Sequence, residues 1–305
     1  MLRTTLTTLI VAGIFLATTP AAFAQDDATE TPEGAEMTAQ TGYASVNGLE
    51  MYYEIHGSGE PLVVLHGAYM SIDALGELIP RLAETRQVIA VELQGHGRTA
   101  DIDRPLRYET MADDVAALLD ELGIERADIF GFSMGGGVAL QVAIRHPERV
   151  DKLIVASMPY HSNGYHPGMM EFFDQITPEM FAGSPMESEF LRFNPDNPEG
   201  FATLVAKLVE LDTQVQDWSP ESIQGITAPT LLIFGDSDVV TIEHAVEMFG
   251  LRGGGVNGDI VGLPESQLAI IPGATHITVL MRVNLLAPMI TEFLDSTAPQ
   301  PFIPQ

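Results

Sequence analysis

Residues 127–137 read Ala-Asp-Ile-Phe-Gly-Phe-Ser-Met-Gly-Gly-Gly, and this stretch decides the fold. An apolar run ends at Phe132, and a helical pattern is under way by Val138. Ser133 must therefore occupy a sharp, strained turn, which the glycines on both sides permit. The G-x-S-x-G spacing predicts a nucleophilic serine after a strand, with the Met134 backbone amide at a helix start. A Gly-rich connection with a solvated serine is the alternative if Ser133 has no partners.

The beginning of the chain has the features of a secretory signal peptide over residues 1–24. A positive start containing Arg3 precedes an apolar run over residues 6–17, and residues 22–24 form an A-x-A cleavage signal. The apolar run is too short for a membrane anchor. No cysteine is present, which excludes lipid attachment at cysteine, disulfides and a thiol nucleophile. We therefore predict an exported protein, periplasmic or extracellular after cleavage near Ala24.

The composition is strongly acidic. Forty-two Asp and Glu residues face 14 Lys and Arg residues, giving a formal charge of −28. This charge argues against nucleic acid or an anionic membrane as a partner. Residues 25–41 lack periodicity and are predicted to be an acidic linker. Residues 42–296 fit one large domain, and residues 297–305 form a short C-terminal tail.

Apolar strands alternate with helical patterns along most of the chain. The dipeptide at residues 47–48, Asn-Gly, predicts a β-hairpin near the start. The alternation that follows predicts an α/β protein with a mostly parallel, eight-stranded sheet flanked by helices. The predicted strands are 43–46, 49–55, 62–65, 88–91, 129–130, 153–156, 231–234 and 268–271, and the predicted helices are 72–83, 111–122, 140–144 and 279–294.

One segment interrupts the alternation. Residues 158–228 contain no buried-strand pattern and are rich in Met and Phe. A helical insertion of this size predicts a lid over the carboxyl end of the sheet, dividing the core into residues 42–157 and 229–296. Its apolar side chains predict an apolar binding site.

Ser133 requires a base and an acid that orients the base. His276 follows the last predicted strand, at the same edge of the sheet as Ser133. The acid is expected after the strand at 231–234, which offers Asp236 and Asp238. We favour Asp238, because Asp236 directly follows a glycine turn and is expected to hold the backbone of that turn.

The segment after the strand at 62–65 is expected to supply a second backbone amide that donates a hydrogen bond to the reacting oxygen. Gly67 permits a tight turn there, so that the backbone amide of Ala68 can face the same point as that of Met134. His66 is expected to brace this loop, since one catalytic base suffices. His244 lies in a helical pattern and is expected at the surface.

Five motifs follow predicted strands in chain order, at residues 66–67 (His-Gly), 95–98 (Gly-His-Gly-Arg), 131–136 (Gly-Phe-Ser-Met-Gly-Gly), 235–238 (Gly-Asp-Ser-Asp) and 273–276 (Gly-Ala-Thr-His). With these motifs the chain resembles, from about residue 42 to 294, the α/β-hydrolase superfamily, most closely its small-esterase and cofactor-free perhydrolase branch. The resemblance implies a serine hydrolase with Ser133, Asp238 and His276 as catalytic triad and with Ala68 and Met134 forming the oxyanion hole. The chain departs from the family pattern by a Gly-rich insertion at residues 252–262, expected to be a surface excursion.

These features predict hydrolysis of a small-molecule carboxylic ester with an apolar acyl or alcohol part, without a cofactor or a metal. Haloalkane dehalogenases and epoxide hydrolases of this fold use an aspartate in place of Ser133, which argues against both. Lactonase, amidase or carbon–carbon bond hydrolase activity stays open, because the lid and pocket choose the substrate. A non-catalytic binding protein is less favoured, since no triad member is missing.

Overall fold

Eight strands form one sheet in the part of the chain that the computed structural model describes, residues 39–214 and 217–297. The strand order across the sheet is β1-β2-β4-β3-β5-β6-β7-β8. The β1/β2 and β2/β4 pairs are antiparallel, and all other pairs are parallel. The strands are Gln40–Val46 (β1), Leu49–Gly57 (β2), Pro61–Leu65 (β3), Gln87–Val91 (β4), Ala127–Phe132 (β5), Val150–Ala156 (β6), Thr230–Ser237 (β7) and Gln267–Thr275 (β8).

Ten α-helices connect or follow these strands in the described residues. They are Leu78–Ala83 (α1), Tyr108–Glu121 (α2), Met134–Arg145 (α3), Met169–Phe173 (α4), Pro185–Phe193 (α5), Gly200–Thr213 (α6), Pro220–Gln224 (α7), Ile242–Leu251 (α8), Gly258–Val261 (α9) and Val283–Asp295 (α10). Short 3₁₀ helices cover Ile72–Leu75, Pro147–Arg149, Ser162–Gly164 and Pro178–Phe181.

The predicted hairpin is confirmed at the start of the sheet. Asn47 and Gly48 have φ values of 49° and 84°, which the two-residue turn between twisted strands requires. Strand β1 begins at Gln40, because its ladder with β2 extends to the Gln40–Ile55 pair. Residues 40–41, predicted as linker, therefore belong to the sheet. The predicted signal peptide, the linker up to residue 38 and the tail from residue 298 lie outside the described residues.

The mostly parallel sheet with helices on both faces is also confirmed. Alternate side chains of β3 point to opposite sides, so that Val63 packs in one apolar cluster and Val64 in the other. The first cluster includes side chains of α2 and α3, and the second includes side chains of α1 and α10. No helix among the described residues is long and apolar enough to cross a membrane.

All four predicted helices differ in their bounds from the observed ones, and those at 111–122 and 140–144 begin earlier, at Tyr108 (α2) and Met134 (α3). The pattern over residues 72–83 is divided into a 3₁₀ turn and α1, because Gly76 adopts a φ of 51° that ends the first turn. The closing helix begins at Val283 instead of residue 279, after turns in which the Val279 amide donates to the Thr275 carbonyl oxygen. The insertion at 252–262 contains α9, and its Ile260 and Val261 side chains are exposed.

The glycines beside Ser133 let α3 pack closely on the sheet. A Cβ at Gly131 would lie 2.1 Å from the carbonyl oxygen of Gly135, and a Cβ at Gly135 would lie 2.4 Å from that of Leu65. Both distances are far below van der Waals contact with backbone atoms that cannot rotate away. The glycines therefore allow the close approach of helix and strands that holds Ser133 in its turn.

We expect Gly135→Ala to lower the free energy of unfolding by at least about 2 kcal/mol, because α3 must shift to relieve the clash. The matched control is Gly250→Ala, on an exposed position of α8 where a Cβ meets nothing within 4 Å. Its free energy of unfolding should stay unchanged or rise by up to about 1 kcal/mol. Urea denaturation measures both, and equal effects of the two variants would contradict the packing argument.

Candidate active site

Ser133 lies between the end of β5 and the first residue of α3. Its backbone has φ 52° and ψ −122°, a conformation that a non-glycine residue rarely adopts. The Ser133 amide donates to the Ala156 carbonyl oxygen at 2.8 Å, and the Gly137 amide donates to the Ser133 carbonyl oxygen at 3.1 Å. These bonds hold the strained turn predicted from the sequence, with the hydroxyl at the carboxyl edge of the sheet.

The structure brings His276 and Asp238 to Ser133. The His276 Nε2 atom lies 3.0 Å from the Ser133 Oγ atom, and the His276 Nδ1 atom lies 3.0 Å from Asp238 Oδ1. Because an ionised carboxylate only accepts hydrogen bonds, Nδ1 carries the proton and Nε2 is free to accept the one on the serine hydroxyl. The ring of Phe132 packs against the imidazole at a centroid distance of 5.2 Å. The three side chains form one continuous hydrogen-bonded chain.

Asp238 is buried and held by several donors. The Ser157 hydroxyl donates to Oδ2 at 2.6 Å, the Gly235 amide donates to Oδ2 at 3.0 Å, and the Val239 amide donates to Oδ1 at 2.8 Å. Burial by itself would raise the pKa of Asp238. The hydrogen bonds and charge of His276, with the bonds from Ser157 and Gly235, outweigh burial and hold the pKa below its ordinary value. The carboxylate is therefore ionised and fixed in position.

Ser157 is a site residue that sequence reasoning missed. It follows the last residue of β6, is 1% exposed, and has a φ of 55°. A polar residue directly after a buried parallel strand was the available signal, because such a residue reaches the same edge of the sheet as Ser133.

Asp236 differs from the expectation that it holds its own turn. Its two carboxylate oxygens accept hydrogen bonds from the Gly273 amide at 2.9 Å and the Ala274 amide at 3.2 Å. The bond from Gly273 is the main reason that the pKa of Asp236 lies below its ordinary value. Asp236 therefore fixes the loop that carries His276. Asp238, instead of Asp236, accepts the hydrogen bond from the Gly235 amide of the turn.

The backbone amides of Ala68 and Met134 are free to bind a ligand. Within residues 39–214 and 217–297, neither amide donates a hydrogen bond to a backbone or side-chain acceptor. Met134 is the first residue of α3, so its amide adds the positive end of a helix dipole. Ala68 lies in the loop after β3, one residue beyond Gly67.

His66 fixes the orientation of the peptide between Gly67 and Ala68. Its Nδ1 atom donates to the Gly67 carbonyl oxygen at 2.7 Å, and its Nε2 atom accepts from the Leu93 amide at 3.1 Å. Burial lowers the pKa of His66 to about 3, so the ring stays neutral and keeps both bonds. In a trans peptide the carbonyl and the amide point in opposite directions. Anchoring the Gly67 carbonyl therefore directs the Ala68 amide.

The predicted surface position of His244 is wrong. Its side chain is buried, stacks on the Tyr160 ring at 4.7 Å, and accepts from the Tyr160 amide at 3.3 Å. A Cβ at Gly164 would clash with the His244 ring, so the absence of a side chain there admits the imidazole. The helical pattern in the sequence did not indicate that His244 is buried, because the residue that covers it, Tyr160, is distant in the chain.

The segment between β6 and β7 packs over the loops that follow β3 and β4. Arg192 of α5 binds Asp73 at 2.7 Å, and Lys207 of α6 binds Asp101 at 2.6 Å. The Asn194 side-chain amide donates to the Gly97 carbonyl oxygen at 3.1 Å. A small pocket lies between this segment and the loops that follow β3 and β4, and it is lined by Tyr69, Met70, His96, Met186, Phe190 and Phe201, among others. In the described residues no group of three or more His, Cys, Asp or Glu side chains could hold a metal ion.

Comparison with known proteins identifies the family to which this chain belongs. Residues 60–196 match the family of the α/β hydrolase fold. A 2-hydroxymuconate semialdehyde hydrolase of Pseudomonas sp. (strain CF600) is 30% identical over 206 residues, which cover 60% of this chain and 72% of the relative. The chain belongs to the α/β-hydrolase family. The resemblance indicated by the sequence motifs is thereby confirmed.

Other members of the α/β-hydrolase family match a larger part of the chain. A pimeloyl-[acyl-carrier protein] methyl ester esterase of Legionella pneumophila (strain Paris) is 27% identical over 262 residues, which cover 81% of this chain and 100% of the relative. The crystal structure of an enol-lactonase from Burkholderia xenovorans LB400 has the same fold, with a TM-score of 0.63 and 22% identity over 83% of this chain and 100% of that one. These relatives are hydrolases with different substrates.

We expect His66→Phe, which keeps a ring but removes both hydrogen bonds, to lower kcat by about tenfold or more with a smaller change in KM. The reason is that the Ala68 amide loses its fixed direction, and donors of this kind act mainly on the transition state. Steady-state hydrolysis of a p-nitrophenyl ester measures the effect, with near-ultraviolet circular dichroism as the folding control. An unchanged kcat in the folded variant would show that the Gly67 peptide is oriented without His66.

Proposed function

We propose that this protein is an exported serine hydrolase that cleaves carboxylic esters with apolar groups through an acyl-enzyme on Ser133. The observation that carries the proposal is the chain of hydrogen bonds from Ser133 through His276 to Asp238, with both distances along the imidazole at 3.0 Å. This arrangement supplies a nucleophile, a base and an orienting carboxylate in the order that acyl transfer requires.

The geometry supports a two-step mechanism. His276 takes the proton of the Ser133 hydroxyl as the oxygen attacks the ester carbonyl, and the free amides of Ala68 and Met134 stabilise the resulting oxyanion. Asp238 keeps the imidazole in the tautomer that accepts at Nε2 and stabilises its charged form. His276 then donates the proton to the leaving alcohol. A water molecule, activated by the same base, releases the acyl group and restores Ser133.

The pocket that includes Tyr69, the residue after Ala68, supports an apolar ester as the substrate. It is lined mainly by Met, Phe, Tyr and Leu side chains. The Legionella relative, which the chain matches over its full length, is described as a methyl ester esterase. Export is part of the proposal, supported by residues 1–24 with their cleavage signal. If the protein is expressed in a bacterial host that exports proteins and its mass shows that residues 1–24 are retained, export with cleavage is excluded.

The two neighbouring aspartates provide a matched test of the triad. We expect Asp238→Asn to lower kcat on p-nitrophenyl butanoate by about 10³- to 10⁴-fold, because the imidazole loses the partner that fixes its tautomer. Asp236→Asn, two residues away, should lower kcat by less than about tenfold, since Asp236 makes no contact with His276 itself and binds two backbone amides of its loop and the Ser237 hydroxyl. Equal losses in the two variants would contradict the assigned roles.

Hydrolysis of a carbon–carbon bond is a second candidate on the same triad. The relative from Pseudomonas is described as a 2-hydroxymuconate semialdehyde hydrolase, and it is 30% identical. Lactone and amide hydrolysis need the same nucleophile and base, but the side chains around Ser133 do not favour either of them over ester hydrolysis.

A substrate panel separates these reactions. We expect kcat/KM to be at least about tenfold higher for p-nitrophenyl esters of medium-length fatty acids than for 2-hydroxymuconate semialdehyde, δ-lactones or the matching p-nitroanilides, because in this proposal the apolar side chains of the pocket bind the acyl chain. Absorbance assays and a pH-stat measure the panel, and Ser133→Ala gives the background. A higher value for the semialdehyde would replace the proposed reaction by the second candidate.

A further inference from the structure

The small pocket between α5, α6 and the loops that follow β3 and β4 contains two buried polar atoms without a partner. They are the Nε2 atom of His96 and the hydroxyl oxygen of Tyr69, both from residues that line the pocket. Among the described residues neither atom has a hydrogen-bond partner, and His96 is only 1% exposed. An unpaired polar atom in the interior is unfavourable. Two such atoms in the lining of one pocket indicate that the pocket binds a polar group.

The contacts of the His96 ring determine what its Nε2 atom can bind. The Nδ1 atom donates to the Gln94 carbonyl oxygen at 2.9 Å, because a carbonyl oxygen only accepts hydrogen bonds. Burial lowers the pKa of His96 to about 4, so the ring is neutral and Nε2 carries a lone pair. The ring packs on His66 at a centroid distance of 5.1 Å, which fixes its position. Nε2 therefore accepts a hydrogen bond from an O–H or N–H group.

The Tyr69 ring is held by aromatic contacts that keep its hydroxyl in the pocket. It packs on the Phe181 ring at a centroid distance of 4.8 Å, and Phe181 meets Phe201 of the pocket lining edge-on at 5.8 Å. Tyr69 directly follows Ala68, whose amide is a proposed oxyanion donor. A tyrosine hydroxyl both donates and accepts. The pocket thus offers one acceptor, at His96, and one group of either kind, at Tyr69.

The carboxylate in the pocket lining already has partners. Glu189 Oε1 accepts a hydrogen bond from the Ser71 hydroxyl and forms an ion pair with Arg192 at 2.6 Å. Because the charge of Glu189 is balanced, the pocket favours a neutral polar group over a cation. A hydroxyl group fits these requirements, since its single oxygen atom can donate to His96 Nε2 and accept from the Tyr69 hydroxyl.

The pocket adjoins the candidate active site at Met70. A Cβ at Gly67 would lie 3.2 Å from the Met70 sulfur atom and 3.0 Å from the Phe132 ring, so these two side chains are neighbours. Met70 lines the pocket, and the Phe132 ring packs against the His276 imidazole. Phe132 also directly precedes Ser133. Two side chains thus connect the pocket to the proposed base, which brings the pocket within reach of a substrate bound at Ser133.

We propose that His96 and Tyr69 bind a hydroxyl group of the substrate, so that the preferred esters carry a hydroxyl on an otherwise apolar acyl or alcohol part. This inference rests on the proposed function, because it names the substrate class of the same site. A substrate hydroxyl supplies the donor that His96 Nε2 lacks and the partner that the Tyr69 hydroxyl lacks. An alkyl group in the same place leaves both atoms unpaired, and a site of this kind discriminates against the analogue without the hydroxyl.

Two pairs of isosteric esters test the proposal, because the members of each pair differ only in a hydroxyl or a methyl group. The group ends the acyl chain of methyl 6-hydroxyhexanoate and of methyl heptanoate. It ends the alcohol part of 2-hydroxyethyl butanoate and of propyl butanoate. A pH-stat measures kcat/KM, which is divided by the rate constant for hydrolysis of the same ester by hydroxide. We expect the resulting value to be about tenfold or more higher for the hydroxylated member of at least one pair.

Three variants separate the effect of the pocket from a structural effect. Tyr69→Phe removes only the hydroxyl oxygen, and His96→Asn removes Nε2 while the side-chain amide keeps a donor for the Gln94 carbonyl. Each should bring the ratio of kcat/KM for the hydroxylated and alkyl esters close to one, with the loss confined mainly to the hydroxylated ester. Tyr43→Phe removes an exposed hydroxyl of β1 outside the pocket and should leave the ratio unchanged. Circular dichroism checks that each variant is folded.

The outcomes distinguish this proposal from the proposed function, which turnover of p-nitrophenyl butanoate by the same preparation reports separately. Turnover of that ester without preference for the hydroxylated member of either pair would overturn the hydroxyl site and leave the pocket to a water molecule. A preference that survives both Tyr69→Phe and His96→Asn, or an equal loss for both members of a pair, would also overturn it. If the native protein hydrolyses none of the five esters, the ester hydrolase itself is excluded.

Discussion

The close packing of α3 on the sheet beside Ser133 is the constraint on which the rest of the site depends. Gly131 and Gly135 allow the backbone of α3 to approach β5 and β3 within distances that no side chain permits. The approach leaves the residue between strand and helix in a conformation with φ 52°, held by the Ala156 carbonyl. This turn leaves the Ser133 hydroxyl within hydrogen-bonding distance of His276 and the Met134 amide at the start of α3.

Three further parts of the site are fixed by hydrogen bonds at the carboxyl edge of the sheet. Asp236 holds the loop of His276, Ser157 holds Asp238, and His66 holds the peptide that precedes the Ala68 amide. Because each of these contacts is made within the protein, the site is organised before a substrate arrives. In a site organised in this way, the protein groups need to move little during the reaction, which lowers its free-energy barrier. The side chains of the pocket, in contrast, come partly from the segment between β6 and β7 and partly from the loops that follow β3 and β4.

Much of this arrangement could be predicted from the sequence, because the relevant signals are local. The Asn47-Gly48 turn, the apolar strands and the residues around Ser133 are readable within windows of ten residues. Chain order after successive strands was enough to choose Asp238 and His276 as partners. The contacts of Ser157 and His244 escaped prediction because neither residue lies in one of the motifs that pair Ser133 with Asp238 and His276, and their partners are more than 80 positions away in the chain.

The central claim is that Ser133 forms a covalent acyl intermediate, and pre-steady-state mixing with p-nitrophenyl butanoate tests it most directly. The account predicts a burst of close to one p-nitrophenol per protein chain. Acid quenching during the burst should give a butanoyl mass increase on the peptide that contains Ser133. Ser133→Ala should show neither the burst nor the adduct. Steady turnover by the native protein with no burst and an acyl group on another residue, or on none, would contradict the account.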